Sequence, residues 1–137
     1  MSRRLRDDRG SISVELAILA PLVGILLACV VLVGRVQTAR ADLEGAARSA
    51  ARDLSIARDP HAAIADVQQG VETTLNVGSP ACRTLSFTPT IRATEVSVTL
   101  ACTVDLQATA VLPLPGTMTL SASATEIVDL YRETARS

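Results

Sequence analysis

The chain changes its hydrophobic period as it runs. Leu16 to Gly34 carries no formal charge. At about 1.5 Å per residue that makes a helix of roughly 28 Å, close to the ~30 Å hydrocarbon core of a bilayer. Pro21 falls inside this run, and membrane helices tolerate proline where neighbouring groups re-satisfy the freed carbonyl. Past Gly34 the period stays helical. Val36, Ala39, Leu43, Ala46, Ala50, Leu54 and Ala57 recur at steps of three and four and form one apolar stripe. Arg40, Asp42, Glu44, Arg48, Arg52 and Asp53 occupy other faces, with Glu44 and Arg48 spaced to pair across one turn. Asp59-Pro60 signals a stop, because the residue before proline leaves the helical region. A second helix is expected from about Ala62 to Leu75, closed by Asn76-Val77-Gly78.

The last third alternates instead. Val96, Val98, Leu100, Cys102, Val104 and Leu106 interleave with Ser97, Thr99, Ala101, Thr103 and Asp105, the pattern of a strand with one buried face. Leu85 and Phe87 predict a preceding strand, interrupted at Pro89. Pro113-Leu114-Pro115-Gly116 reads as a turn, after which Met118, Leu120, Ala122 and Ala124 alternate again. The expected class is α+β. A long N-terminal transmembrane helix continues into an amphipathic one, a short second helix follows, and an antiparallel sheet of three or four strands packs on the helix. The outer, Ser/Thr-rich face of that sheet should be solvated. Four regions follow: a basic leader over 1–10, the membrane helix over 11–34, its continuation over 35–59, and an α+β domain over 60–137.

Composition narrows the function. Apolar residues make up 48% of the chain, yet it has one Phe, one Tyr and no Trp. The apolar content is Ala, Val and Leu of the span and the stripe rather than aromatic anchors of a soluble core. All 13 basic residues are Arg, which reads as the codon usage of a GC-rich genome. A formal net charge of -1 leaves no electrostatic footprint for nucleic acid. No histidine stands near a nucleophile, no glycine loop could cradle phosphate, and no carboxylate pair sits in a setting that would raise a pKa. The chain therefore reads as no enzyme, with no catalytic residues, no cofactor and no small-molecule substrate. His61 is the single histidine and has no neighbouring Cys or second His, so it reads as a surface residue and not a metal ligand. Ser121 and Ser123 fit the solvent face of a strand.

The N-terminus carries a targeting signal. Arg3, Arg4, Arg6 and Arg9 precede the span, so the N-terminus should stay in the cytoplasm and the remainder should cross. Gly10 closes this basic stretch, Ser11-Ile12-Ser13-Val14 follow, and Glu15 stands at the mouth of the apolar run. A carboxylate there is costly and calls for a reason. A secretory signal cut near Ala39-Arg40-Ala41 would need an apolar region longer than usual, with Arg35 and Arg40 crowding the cut. Leu26-Leu27-Ala28-Cys29 roughly resembles a lipobox, but Val30-Val31-Leu32-Val33 continues the membrane run past Cys29. A plain uncleaved anchor leaves Gly10 and Glu15 unexplained. Outside the cytoplasm, Cys82 and Cys102 are expected to form a disulfide, the alternative being two free buried thiols. Cys29 would then be a small apolar filler in the span.

Gly10, Ser11-Ile12-Ser13-Val14, Glu15-Leu16-Ala17, Ile18-Leu19 and Pro21-Leu22 resemble the opening of TadE-like proteins. These are minor pilins, or pseudopilins, of the Tad (Flp-type) pilus assembly system. Leu16 stands where an aromatic is common in that family. The resemblance is specific over about residues 9–35 and is one of layout beyond. It implies cleavage between Gly10 and Ser11 by a prepilin peptidase, where a glycine lets the backbone lie flat in the active site. It also implies that the Glu15 carboxylate pairs with the new amine of Ser11 in a neighbouring subunit, the two charges offsetting each other's desolvation. Without a partner, Glu15 would only cap the helix start, where a negative charge suits the dipole. The implied partners are the lipid bilayer, the peptidase, other Tad pilus subunits and inner-membrane assembly proteins. The implied place is the cytoplasmic membrane, crossed once, with the C-terminal domain outside. The competing class is a single-pass anchored binding module that uses its sheet for an extracytoplasmic ligand and is not cut at Gly10.

Overall fold

The computed structural model describes residues 9–78, 82–105 and 116–128, with side chains from residue 14 onward. Five elements follow in order: α1 (Arg9–Ile56), α2 (Pro60–Thr74), β1 (Thr84–Ile91), β2 (Glu95–Asp105) and β3 (Thr117–Ile127). The strands form one antiparallel sheet in the order β1-β2-β3, so the α+β layout expected from the periodicity is present with three strands. The leader before Arg9, Leu106 and the Pro113-Leu114-Pro115 turn lie outside the described residues.

Helix α1 is continuous for 48 residues and carries Pro21 without ending. Its C-terminal part contributes Leu43, Ala46, Ala47, Ala50, Ala51 and Leu54 to the core, each buried. The alanines leave little bulk between helix and sheet, so the backbones can approach closely, while Leu43 and Leu54 close the stripe at its two ends. Facing them are Val96, Val98, Leu100, Cys102 and Val104 of β2, all buried, in strict alternation with the residues between. Helix α1 crosses β2 and β3, and α2 packs back against α1. On β3, Leu120, Ala122 and Ala124 share the inner face as expected, but Met118 lies near the strand's end and stays exposed. Glu44 pairs with Arg40 at 3.3 Å rather than with Arg48. The carboxylate stands one turn from either guanidinium, so both exposed pairs are within reach and the spacing alone does not select one.

Helix α2 starts two residues earlier than the periodicity indicates, because its cap is built from the stop signal of α1. Asp59 is extended (φ -126, ψ 97) and its Oδ1 accepts from the N–H groups of His61 at 3.0 Å and Ala62 at 3.1 Å. Pro60 supplies a first turn that needs no donor. Exposed His61 takes part through its backbone only. At the far end Asn76 (φ 47) and Gly78 (φ 93) adopt the left-handed conformation that turns the chain toward the sheet. Replacing Asp59 by alanine is expected to lower stability by about 1 kcal/mol, read as a lower urea midpoint of the full chain in detergent micelles.

Strand β1 runs through Pro89 rather than breaking there. The register explains why. The Arg92 N–H donates to the Glu95 carbonyl at 2.9 Å, and Pro89 lies opposite Val98 in the same register. In an antiparallel ladder only alternate residues exchange hydrogen bonds with the partner. Pro89, three residues from Arg92, has the opposite parity and turns its nitrogen away from β2. Because β1 is an edge strand, no second neighbour needs that donor.

The sheet's outer face is uncharged over its middle. Ser and Thr recur in rows across the strands, such as Thr88–Thr99–Ser123 and Thr90–Ser97–Thr125. Within the second row the Thr125 hydroxyl donates to Ser97 Oγ at 3.2 Å. Ion pairs stand at the two ends, Arg83–Asp105 at 3.1 Å and Arg92–Glu95. Such exposed pairs contribute at most about 1 kcal/mol each.

Candidate membrane and assembly interface

Among the described residues the N-terminal half of α1 has no packing partner. Leu16, Ile18, Leu22 and Leu26 are each more than 60% exposed, and the most apolar stretch of the helix has a mean hydropathy of 3.0 with none of it buried. Exposed apolar surface on this scale marks a membrane or protein contact. Glu15 and Arg35 bracket the uncharged stretch, and twenty helical residues at about 1.5 Å each separate them by roughly 30 Å, the thickness of the hydrocarbon core. The stretch is long and apolar enough to cross a membrane.

Glu15 is exposed on α1, and its side chain meets no partner among the described residues. Gly10 and Ser11 belong to the first turns of the same helix. The helix thus sets all three on one rigid rod, and no other part of the described chain comes to them. Cys29 is free and exposed in the middle of the anchor.

Cys82 and Cys102 do meet. They form a disulfide with a Cα–Cα separation of 5.6 Å, within the usual range, and both residues are buried. Cys102 sits opposite Leu85 in the register, so the bond ties the entry of β1 to the central strand.

Sequence reasoning missed one feature of the helical hairpin. Between α1 and α2 lies an open groove of about 330 Å³. Buried Ala50 and Val71 line it together with Gly70, and two exposed carboxylates, Asp53 and Asp66, flank it. The signal was present as apolar positions on α2 too small to fill the space beside the alanine stripe. Finding it required the antiparallel pairing of the two helices. Among the described residues no group of three or more His, Cys, Asp or Glu could hold a metal.

The family profile described as TadE-like protein matches residues 10–52. Over those residues, about a third of its length, the chain is similar to TadE-like proteins. The match begins at Gly10 and runs the length of α1 to within one turn of its end, so it covers Gly10 to Glu15, the apolar stretch and the alanines of the stripe. The second helix and the sheet lie outside it. The likeness of this helix points toward the Tad pilus systems to which that family belongs. No curated protein and no solved structure matches the chain.

Proposed function

We propose that the protein is a minor pilin or pseudopilin, a structural or assembly component of a Tad pilus or a related secretion machine. In this reading a prepilin peptidase cuts between Gly10 and Ser11 from the cytoplasmic side of the inner membrane. The helix then holds the subunit in the bilayer, and α2 with the disulfide-bonded sheet stands outside. Glu15 acts after the cut. Its carboxylate pairs with the Ser11 amine of a neighbouring subunit, a contact worth making because either charge alone at the bilayer edge is poorly solvated.

The observation that carries this is the coincidence of the family match with Gly10 and with an exposed, unpartnered Glu15 five residues into the same helix. An anchor needs neither residue. The disulfide supports an extracytoplasmic domain, since such bonds persist in oxidising compartments.

The test is Gly10→Ala, made in a cell that also produces the cognate peptidase. A Cβ at the residue before the cut obstructs the flat backbone the enzyme accepts. Wild type should run as the shorter mature species and the variant as the longer precursor. Appearance of the mature size in Gly10→Ala would contradict cleavage at this site.

A further inference from the structure

We propose that copies of this chain associate side by side in the bilayer, the Arg48/Arg52 ridge of one α1 entering the α1–α2 groove of the next copy. The inference rests on both copies being anchored in one bilayer and is independent of cleavage at Gly10.

Four charges near the α1–α2 hairpin stand idle among the described residues. Arg48 and Arg52 are exposed, and their side chains have no ion pair or hydrogen bond among the described residues; the same holds for Asp53 and Asp66. They lie on different faces. Arg48 and Arg52 are one turn apart and form a single ridge. Asp53 follows Arg52 by one residue, about 100° round the helix, and neighbours in sequence do not face each other. The antiparallel return of α2 brings Asp66 to the same groove as Asp53.

Level and shape both fit a second copy. Arg52 and Asp53 differ by about 1.5 Å along the helix axis. Two copies standing parallel, with their anchors at one depth, therefore bring the basic ridge level with the acidic groove and need no axial shift. Room for the contact is already made. A Cβ added at Gly70 in the groove, or at Gly45 beside the ridge, would meet nothing within 4 Å. The protein's own packing thus gives no reason for either mid-helix glycine, although each weakens its helix relative to alanine. An approaching backbone would use the space at both. Because ridge and groove are different surfaces, the contact is head-to-tail and repeats into a ring or an open row rather than closing as a two-fold pair.

The test uses the full uncleaved chain in neutral phosphatidylcholine vesicles, with donor and acceptor dyes on the C-termini of separate copies and energy transfer as the readout. Wild type should transfer above the level of random mixing. Arg48→Asp/Arg52→Asp alone has an acidic ridge facing an acidic groove, and Asp53→Arg/Asp66→Arg alone has a basic ridge facing a basic groove. Each should associate at least about tenfold more weakly than wild type. Mixing the two variants should restore transfer, since each then meets its opposite; restoration also shows that both are folded. Wild-type transfer should fall as salt rises toward about 1 M, where screening reaches roughly 3 Å. Random mixing of wild type, undiminished transfer in either variant alone, a mixture no better than its parts, or salt-insensitive transfer would each overturn the proposal. No peptidase is present, so none of these results bears on cleavage at Gly10.

Discussion

Replacing Cys82 and Cys102 together by alanine is expected to destabilise the helix–sheet domain by about 3 kcal/mol, the value the chain-entropy model gives for a loop of this length. The bond spans a sequence separation of 20 and joins the approach to β1 with the central strand. Alanine is the informative replacement, because both positions are buried and a serine hydroxyl would add the separate cost of an unpaired polar group. The loss is large for this domain. Its helix-side core is mostly alanine, and its one described aromatic, Phe87, is only half-buried, so apolar burial alone is modest. Urea unfolding of the full chain in micelles measures the effect, and reductant should reproduce it on wild type. In the folded, oxidised protein only Cys29 should accept a thiol label. Two further labelled cysteines without reductant would show that the bond does not form.

Leu100→Ala is expected to cost about 3 to 5 kcal/mol, the upper part of the range for a buried leucine. Leu100 is 0% exposed at the middle of the central strand. Its neighbours across the register are Phe87 on one side and Ala122 on the other. Ala122 is too small to move into the space, and the helix above presents alanines, so the cavity should persist rather than collapse. A persisting cavity is what separates the costly leucine deletions from the mild ones. Thermal unfolding followed by circular dichroism should show the midpoint falling by about 10 °C or more. A shift of only a degree or two would mean that α1 settles onto the sheet and that the alanine packing is more adaptable than described.

Period and punctuation made much of the fold legible. The alternation from Val96 to Val104 foretold the buried face of β2 residue by residue, because strand side chains alternate strictly and one face is covered. The stripe from Leu43 to Leu54 foretold the helix face for the same kind of reason. Pro89 misled because its effect depends on parity and on edge position, which only the register fixes. Glu44 offered two partners at equal spacing, and a one-dimensional pattern cannot choose between them. The α1–α2 groove depends on how two helices return on each other, so Asp53 and Asp66 looked like ordinary surface charges. The proposed processing and assembly residues behave differently. Gly10 and Glu15 stand out in the sequence because they break a pattern, and the fold adds only that both ride on the rod that carries the anchor.

That division bears on how the subunit works. The family match stops at residue 52, within one turn of the end of α1, and outside it stand α2 and a disulfide-tied sheet whose outer face is uncharged over its middle. The proposed cut lies at the far end of α1 from the disulfide and from Leu100, so the Cys and Leu100 variants should change unfolding without changing processing.

Processing is also where the account is most exposed. The decisive measurement is the intact mass of the wild-type protein extracted from the membrane of cells that make the cognate prepilin peptidase. The account predicts a single chain beginning at Ser11. A chain still carrying the Arg-rich stretch that ends in Gly10 would contradict it and leave the protein a membrane-anchored domain.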